Sequence, residues 1–132
     1  YGALCTGRAF RLIPRTLTLD GPGLAALLAA QPVDCLKIVP SHLSALLQSG
    51  AGAALLPRQC LVMGGEAAGA ELIAQLRTLS PGLRILNHYG PTETTIGVTS
   101  YELVGPAYRS GLPVGHAFPG LRLHLLDADL QP

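Results

Sequence analysis

The sequence predicts an α/β fold: a parallel sheet covered by helices, with a short, more antiparallel β extension at the C-terminal end. Three observations predict it. Apolar runs of strand length alternate with stretches whose leucines recur at helical spacing. Capping residues, glycines and prolines fall at the joins between them. After Thr95 the helical spacing ceases, while short strand-like runs continue.

Tyr1 to Thr6 followed by Gly7 reads as the last turn of a helix with its glycine stop. Ala9 to Ile13 is a first strand-like run. Asp20 can cap a helix reaching Gln31, with Leu24, Leu27 and Leu28 on one face. Val33 to Val39 reads as the next strand. Ser41 is placed to cap a helix carrying Leu43, Leu46 and Leu47, which Gly50 ends. Cys60 to Met63 is another strand, and Leu72, Ile73, Leu76 and Leu79 mark a helix closed by Ser80-Pro81-Gly82. Leu83 to Leu86 starts a fourth strand. A β-α-β-α-β-α-β series needs helical crossovers between parallel strands, right-handed by default. Gly97 to Leu103 and Leu121 to Leu126 form the antiparallel extension, and Asp127-Ala128-Asp129 suits a turn.

Composition narrows the function classes. With 132 residues the chain is about one domain. It is 48% hydrophobic and 13% charged, the latter about half the usual ~25%, and its mean hydropathy is +0.38. Much of its surface is therefore expected to be covered, by itself or by a partner. No uninterrupted apolar stretch is long enough for a membrane-spanning helix. A net charge of +1 with a single lysine offers no basic stripe for nucleic acid. Cys5, Cys35 and Cys60 lack CxxC spacing and lie in apolar stretches, which reads as buried thiols in a reducing, cytoplasmic setting. The N-terminus has no signal-peptide pattern.

In open parallel sheets, ligands sit beyond the carboxyl ends of the strands. Those ends carry Lys37, then Gly64-Gly65-Glu66, then Asn87-His88-Tyr89-Gly90-Pro91-Thr92-Glu93. Lys37 lies in an apolar strand that a helix-covered sheet leaves with little water, so it is expected either to be enclosed there for a ligand or simply to snorkel out at the strand end. The glycine pair could be an ordinary turn or a close ligand approach. His42, His116 and His124 share no metal-ligand spacing. Asn87 to Gly97, NHYGPTETTIG, gathers more: an aromatic ring able to stack on a base, an imposed turn, and a hydroxyl beside a carboxylate where phosphate and Mg²⁺ could meet.

NHYGPTETT closely resembles the Asn-x-Tyr-Gly-Pro-Thr-Glu motif of the adenylate-forming enzymes, and within them the adenylation domains of nonribosomal peptide synthetases. GALCTG, VMGGEA and LPVGHAFPGLRLHLLD are weaker matches in the expected order. The resemblance implies that residues 1–103 are part of a flavodoxin-like α/β subdomain and that 104–132 begin the following β-rich subdomain. It implies an ATP site of Gly65, Glu66, Asn87, His88, Tyr89, Gly90 and Thr92, with Tyr89 stacked on adenine, Thr92 near the α-phosphate and Glu93 holding Mg²⁺. Thr92 and Glu93 would be the catalytic pair. The implied reaction joins a carboxylate to AMP with release of pyrophosphate. The acyl group then passes to the phosphopantetheine thiol of a peptidyl carrier protein domain, and the rest of the same synthetase chain is the other partner.

The family's phosphate loop and its α-amine-binding aspartate are expected upstream of Tyr1, and its ribose-binding aspartate, hinge and lid lysine downstream of Pro132. The 132 residues alone are thus expected to be inactive. They are also expected to leave apolar surface exposed where the remaining domain packs. Aligned through the motifs, the pocket positions read Lys37, Val62, Gly64, His88, Ile96 and Gly97, a set that resembles the pocket code for aspartate. Two potential cations facing one small cavity suit a side-chain carboxylate, provided His88 is protonated. Two alternatives stay open on the residues alone: an acyl or aryl acid ligase of the same superfamily, and a non-catalytic flavodoxin-like nucleotide-binding module.

Overall fold

The computed structural model describes residues 2–105 and 111–132. Helix α1 (Gly2–Cys5) is a single turn, and the Arg8 N–H donates to Ala3 O at 2.7 Å as the chain leaves it. The expected helix end is thus present, with Tyr1 outside the described residues. Helix α2 (Gly21–Ala30) starts where Asp20 accepts from the Gly23 N–H at 3.0 Å, the predicted cap. Strand β1 (Cys35–Ile38) leads to α3 (Pro40–Leu46), which continues through a wider turn over Leu47–Ala51 to Gly50, whose φ is 87°. Strand β2 (Cys60–Gly64), helix α4 (Ala70–Leu79) and strand β3 (Arg84–Tyr89) follow, then β4 (Thr99–Glu102) and β5 (His116–Ala117).

The five strands form one sheet in the order β1-β2-β3-β4-β5. Strands β1, β2 and β3 are parallel, and β4 and β5 are antiparallel to their neighbours. Because neighbouring parallel strands are also consecutive in the chain, right-handed crossovers put both connections on the same side. The core agrees. Leu36, Leu61 and Ile85 share one register row, and their face packs with Leu43 and Leu46 of α3 and Leu72, Ile73 and Leu76 of α4. Helix α2 adds Leu24 and Leu28 to the same core and lies against the segments Leu47–Ala51 and Gly52–Leu55.

The opposite face carries Cys35, Lys37, Cys60, Val62, Arg84, Leu86 and His88, none of them buried. This corrects two sequence expectations. Lys37 is exposed rather than enclosed by helices, because β1 is an edge strand and no described helix covers its face. Cys5 and Cys35 are exposed and only Cys60 is half-buried. Burial, and next the Cys35 thiol beside it, push the Cys60 thiol up, so it stays protonated at neutral pH.

Three local expectations also change. Ala9 to Ile13 and Leu121 to Leu126 are not strands, since neither finds a ladder partner among the described residues. Phe10, Leu12, Leu123 and Leu125 in these stretches are exposed, as the apolar surplus anticipates. Ser41 does not cap α3. Val39 holds the N-cap position without a side-chain bond, and the Ser41 N–H donates instead to Glu66 Oε1. The Asp127 turn forms as expected, its carboxylate accepting from the Asp129 and Gln131 N–H groups at 2.9 Å each.

Candidate functional site

The carboxyl ends of β1, β2 and β3 lie side by side, with Lys37 opposite Val62 and Gly64 opposite His88. Alternation along the strands places Lys37, Val62, Gly64 and His88 on one sheet face, the face without described helices. Gly64 is required there by close approach. A Cβ on it would lie 2.3 Å from the carbonyl oxygen of His88, so any side chain would push β2 from β3.

His88 is tightly bounded. A Cβ on Gly97 would lie 1.9 Å from both Cε1 and Nε2 of the imidazole, so the ring edge rests directly over the Gly97 backbone. The ring also packs against Phe118, with centroids 5.7 Å apart and planes tilted by 36°. Burial, and next the positive charge of Lys37, push the His88 pKa down. The ligand-free site therefore favours a neutral imidazole, and Lys37 is the standing cation. The expectation of two cations therefore depends on the ligand: an anion beside the ring would oppose both effects and favour its protonation.

Beyond β3 the chain turns through Gly90-Pro91 into a single 3-10 turn, Thr92–Thr94. Thr94 Oγ1 donates to Pro91 O at 2.9 Å, and the Val98 N–H donates to Tyr89 O at 2.8 Å, closing the loop. Thr95 holds a φ of 78°, a costly conformation for a β-branched residue and one found at ligand-handling loops. Tyr89 is 48% exposed at the strand end, so a ring face is available for stacking. Thr92 and Glu93 are exposed on the turn. A lone carboxylate suits Mg²⁺, which usually takes one or two carboxylates and completes its shell with water and substrate phosphates. Among the described residues no group of three or more His, Cys, Asp or Glu could hold a metal unaided.

Not every predicted contact residue converges. Asn87 is buried on the helix-covered face, and its Nδ2 donates to Pro113 O at 2.7 Å, pinning the segment before β5 to β3. Glu66 is turned to the start of α3. The hydrogen bonds from Ser41 hold its carboxyl below the usual range. Ile96 is 65% exposed at the rim. Gly65 and Gly90 flank the strand ends as turn residues. Phe118 was not foreseen: it lies 30 positions after His88, and its only sequence signal is its place inside VGHAFPG. A shallow concavity of about 600 Å³ around Arg77, Arg84 and Glu102 is at the opposite, amino end of β3, and another of about 530 Å³ lies between α3 and α4 near Glu66. Neither contains the Lys37–His88 face.

Known proteins resemble the chain along nearly its whole length. It is 38% identical over 124 residues to a probable non-canonical nonribosomal peptide synthetase, CymA, of Salinispora arenicola (strain CNS-205), covering 94% of this chain and 2% of that protein. It is 35% identical over 134 residues to the chondramide synthase cmdD of Chondromyces crocatus, covering 98% of this chain and 3% of that one. The chain thus spans only a few per cent of these relatives. Among solved structures, IdnL1 superposes with a TM-score of 0.85 at 27% identity, covering 98% of this chain and 28% of that one. The holo four-domain nonribosomal peptide synthetase AB3403, bound to AMP and glycine, superposes with a TM-score of 0.76 at 26% identity, covering 95% and 9%. The AMP-binding enzyme family matches residues 1–132, and the chain belongs to that family.

Proposed function

We propose that the protein containing this chain is an ATP-dependent adenylating ligase of a nonribosomal peptide synthetase, that it forms aminoacyl-AMP from L-aspartate, and that the aspartyl group is loaded onto a peptidyl carrier protein domain of the same synthetase. Family membership and the synthetase relatives support the adenylation step. In this reading Tyr89 stacks on adenine, Gly65 and Gly90 allow close backbone approach, and Thr92 hydrogen-bonds the α-phosphate. Glu93 would hold Mg²⁺, which when bound offsets phosphate charge. Glu66 and Asn87 contribute by shaping the site, since the fold already engages both side chains.

The single observation that carries the substrate reading is the shared face of Lys37, Val62, Gly64 and His88, with Gly97 under the imidazole. Lys37 attracts a carboxylate, and the neutral His88 can hydrogen-bond it and then take up a proton as the anion raises its pKa. Val62 and Ile96 are the apolar walls, and the two glycines leave room for a short side chain. The test is amino-acid-dependent pyrophosphate exchange by the full-length protein. Aspartate is expected to be preferred over asparagine, and Lys37→Ala to cut that preference about 30-fold, the low end for losing one partner of a charge pair that substrate binding takes out of water. An unchanged preference in Lys37→Ala refutes the aspartate assignment.

A further inference from the structure

We propose that Phe118 is a positioning residue for this pocket: with Gly97 it clamps the His88 imidazole in one orientation and out of water, so that selectivity for an acidic side chain depends on a residue outside the pocket itself. The last part rests on the aspartate reading; the clamp does not. The ring separation of 5.7 Å is within the ~4.5 to 7 Å of favourable aromatic pairs. Phe118 is also fixed from its backbone. Its N–H donates to Val98 O at 2.9 Å, and the Val98 N–H donates to Tyr89 O at 2.8 Å, so the residue after His88 and the residue that packs on His88 are tied through two hydrogen bonds. On another side the imidazole edge meets the Gly97 backbone with no space for a methyl. These contacts limit the tilt and the translation of the ring.

Among the described residues, the charged and titratable groups on the same sheet face are few. Lys37 and Cys35 stand on β1 and Cys60 on β2, His116 on β5 opposite Ser100, itself opposite His88, and Arg84 and Glu102 are paired with each other at 2.8 Å. Glu93 lies in the adjoining loop. Of these, Lys37 acts on the imidazole, and burial acts more strongly. Phe118 is a side chain that supplies that burial, so its removal should both free the ring and let it protonate more readily. A rigid neutral imidazole discriminates carboxylate from amide by the proton it gains, whereas a loose hydrated one loses that distinction.

The test uses the full-length protein and two variants, Phe118→Ala and the bulkier Phe118→Leu. Diethyl pyrocarbonate attacks neutral imidazole, so its rate at His88 against pH, mapped by mass spectrometry without substrate, reports ring exposure and charge together. We expect a faster limiting rate at alkaline pH, where the ring is neutral in every protein, in both variants, and a midpoint raised by about half a pH unit or more in Phe118→Ala. Pyrophosphate exchange should show aspartate over asparagine discrimination falling about 2- to 10-fold, the size of one aromatic contact. Parent-like modification rate and midpoint in both variants overturn the clamp, whatever the substrate. A shifted His88 in a protein that activates no aspartate would instead leave the clamp standing and refute the substrate reading.

Discussion

Gly64→Ala tests the closest approach in the site. The added methyl would lie 2.3 Å from His88 O, 3.3 Å from His88 C and 3.4 Å from His88 Cβ. Carbon to oxygen contacts in sheets close to ~3.3 Å at best, so about 1 Å of overlap must be relieved. The obstacle is backbone, held in the β2–β3 ladder at the Gly64–His88 register position, and cannot swing aside as a side-chain tip would. Overpacking of this kind costs about 1 to 3 kcal/mol. The unfolded chain loses freedom on replacing glycine, which returns ~0.4 to 1 kcal/mol. The expected net loss is about 1 to 2 kcal/mol, roughly 5- to 30-fold in the folding equilibrium. Urea unfolding of the purified protein, followed by circular dichroism, measures it against Gly82→Ala, where a Cβ meets nothing within 4 Å. Gly82→Ala should be neutral or slightly stabilising. If Gly64→Ala unfolds at the same urea concentration as Gly82→Ala, the two strands are not constrained as described.

Asn87→Ala removes the hydrogen bond to Pro113 O and should cost about 1 kcal/mol, with faster amide exchange around residues 111–117 as its local sign. Acidification should destabilise the protein in two stages. His88, Glu66 and Glu102 all have folded pKa values pushed down, His88 by burial and then Lys37, the carboxylates by hydrogen bonds from Ser41 and Arg84. In each case the unfolded chain takes the proton first, so stability is complete above the unfolded value and falls as pH falls. The urea midpoint should therefore drop first below about pH 6.5 and again in the carboxylate range, and His88→Gln should erase the first drop only.

The elements that packing dictates could be read from leucine spacing. Helices α2 and α4 and strands β2 and β3 lie within a residue or three of their expected bounds because each buries one stripe or one face against the others. Ala9 to Ile13 and Leu121 to Leu126 failed for a different reason. Their apolar content fits a strand, but a strand exists only with a ladder partner, and pairing is a property of the whole sheet rather than of a run of residues. Ser41 shows the same lesson for caps. Its residue type suits an N-cap, yet the cap falls two positions earlier, at Val39, and a glutamate 25 residues after Ser41 accepts its N–H instead.

The site divides along the same line. The residues at strand ends could be located from the sequence, since chain order and the parallel topology together bring Lys37, Gly64 and His88 to neighbouring carboxyl ends. Their electrostatics could not. A lysine and a histidine on one face look like two cations until burial and their mutual repulsion are counted, and then the histidine gives up its proton first because its pKa is the nearer to neutrality. On the aspartate reading proposed above, that repulsion would bear on selectivity. A neutral ligand would leave the imidazole neutral, whereas a carboxylate between the two side chains would oppose the repulsion and favour protonation of the ring. Discrimination would then draw on a proton that the amide analogue recruits less readily, and the proposed Gly97 and Phe118 contacts on the ring would contribute to it beside the lysine.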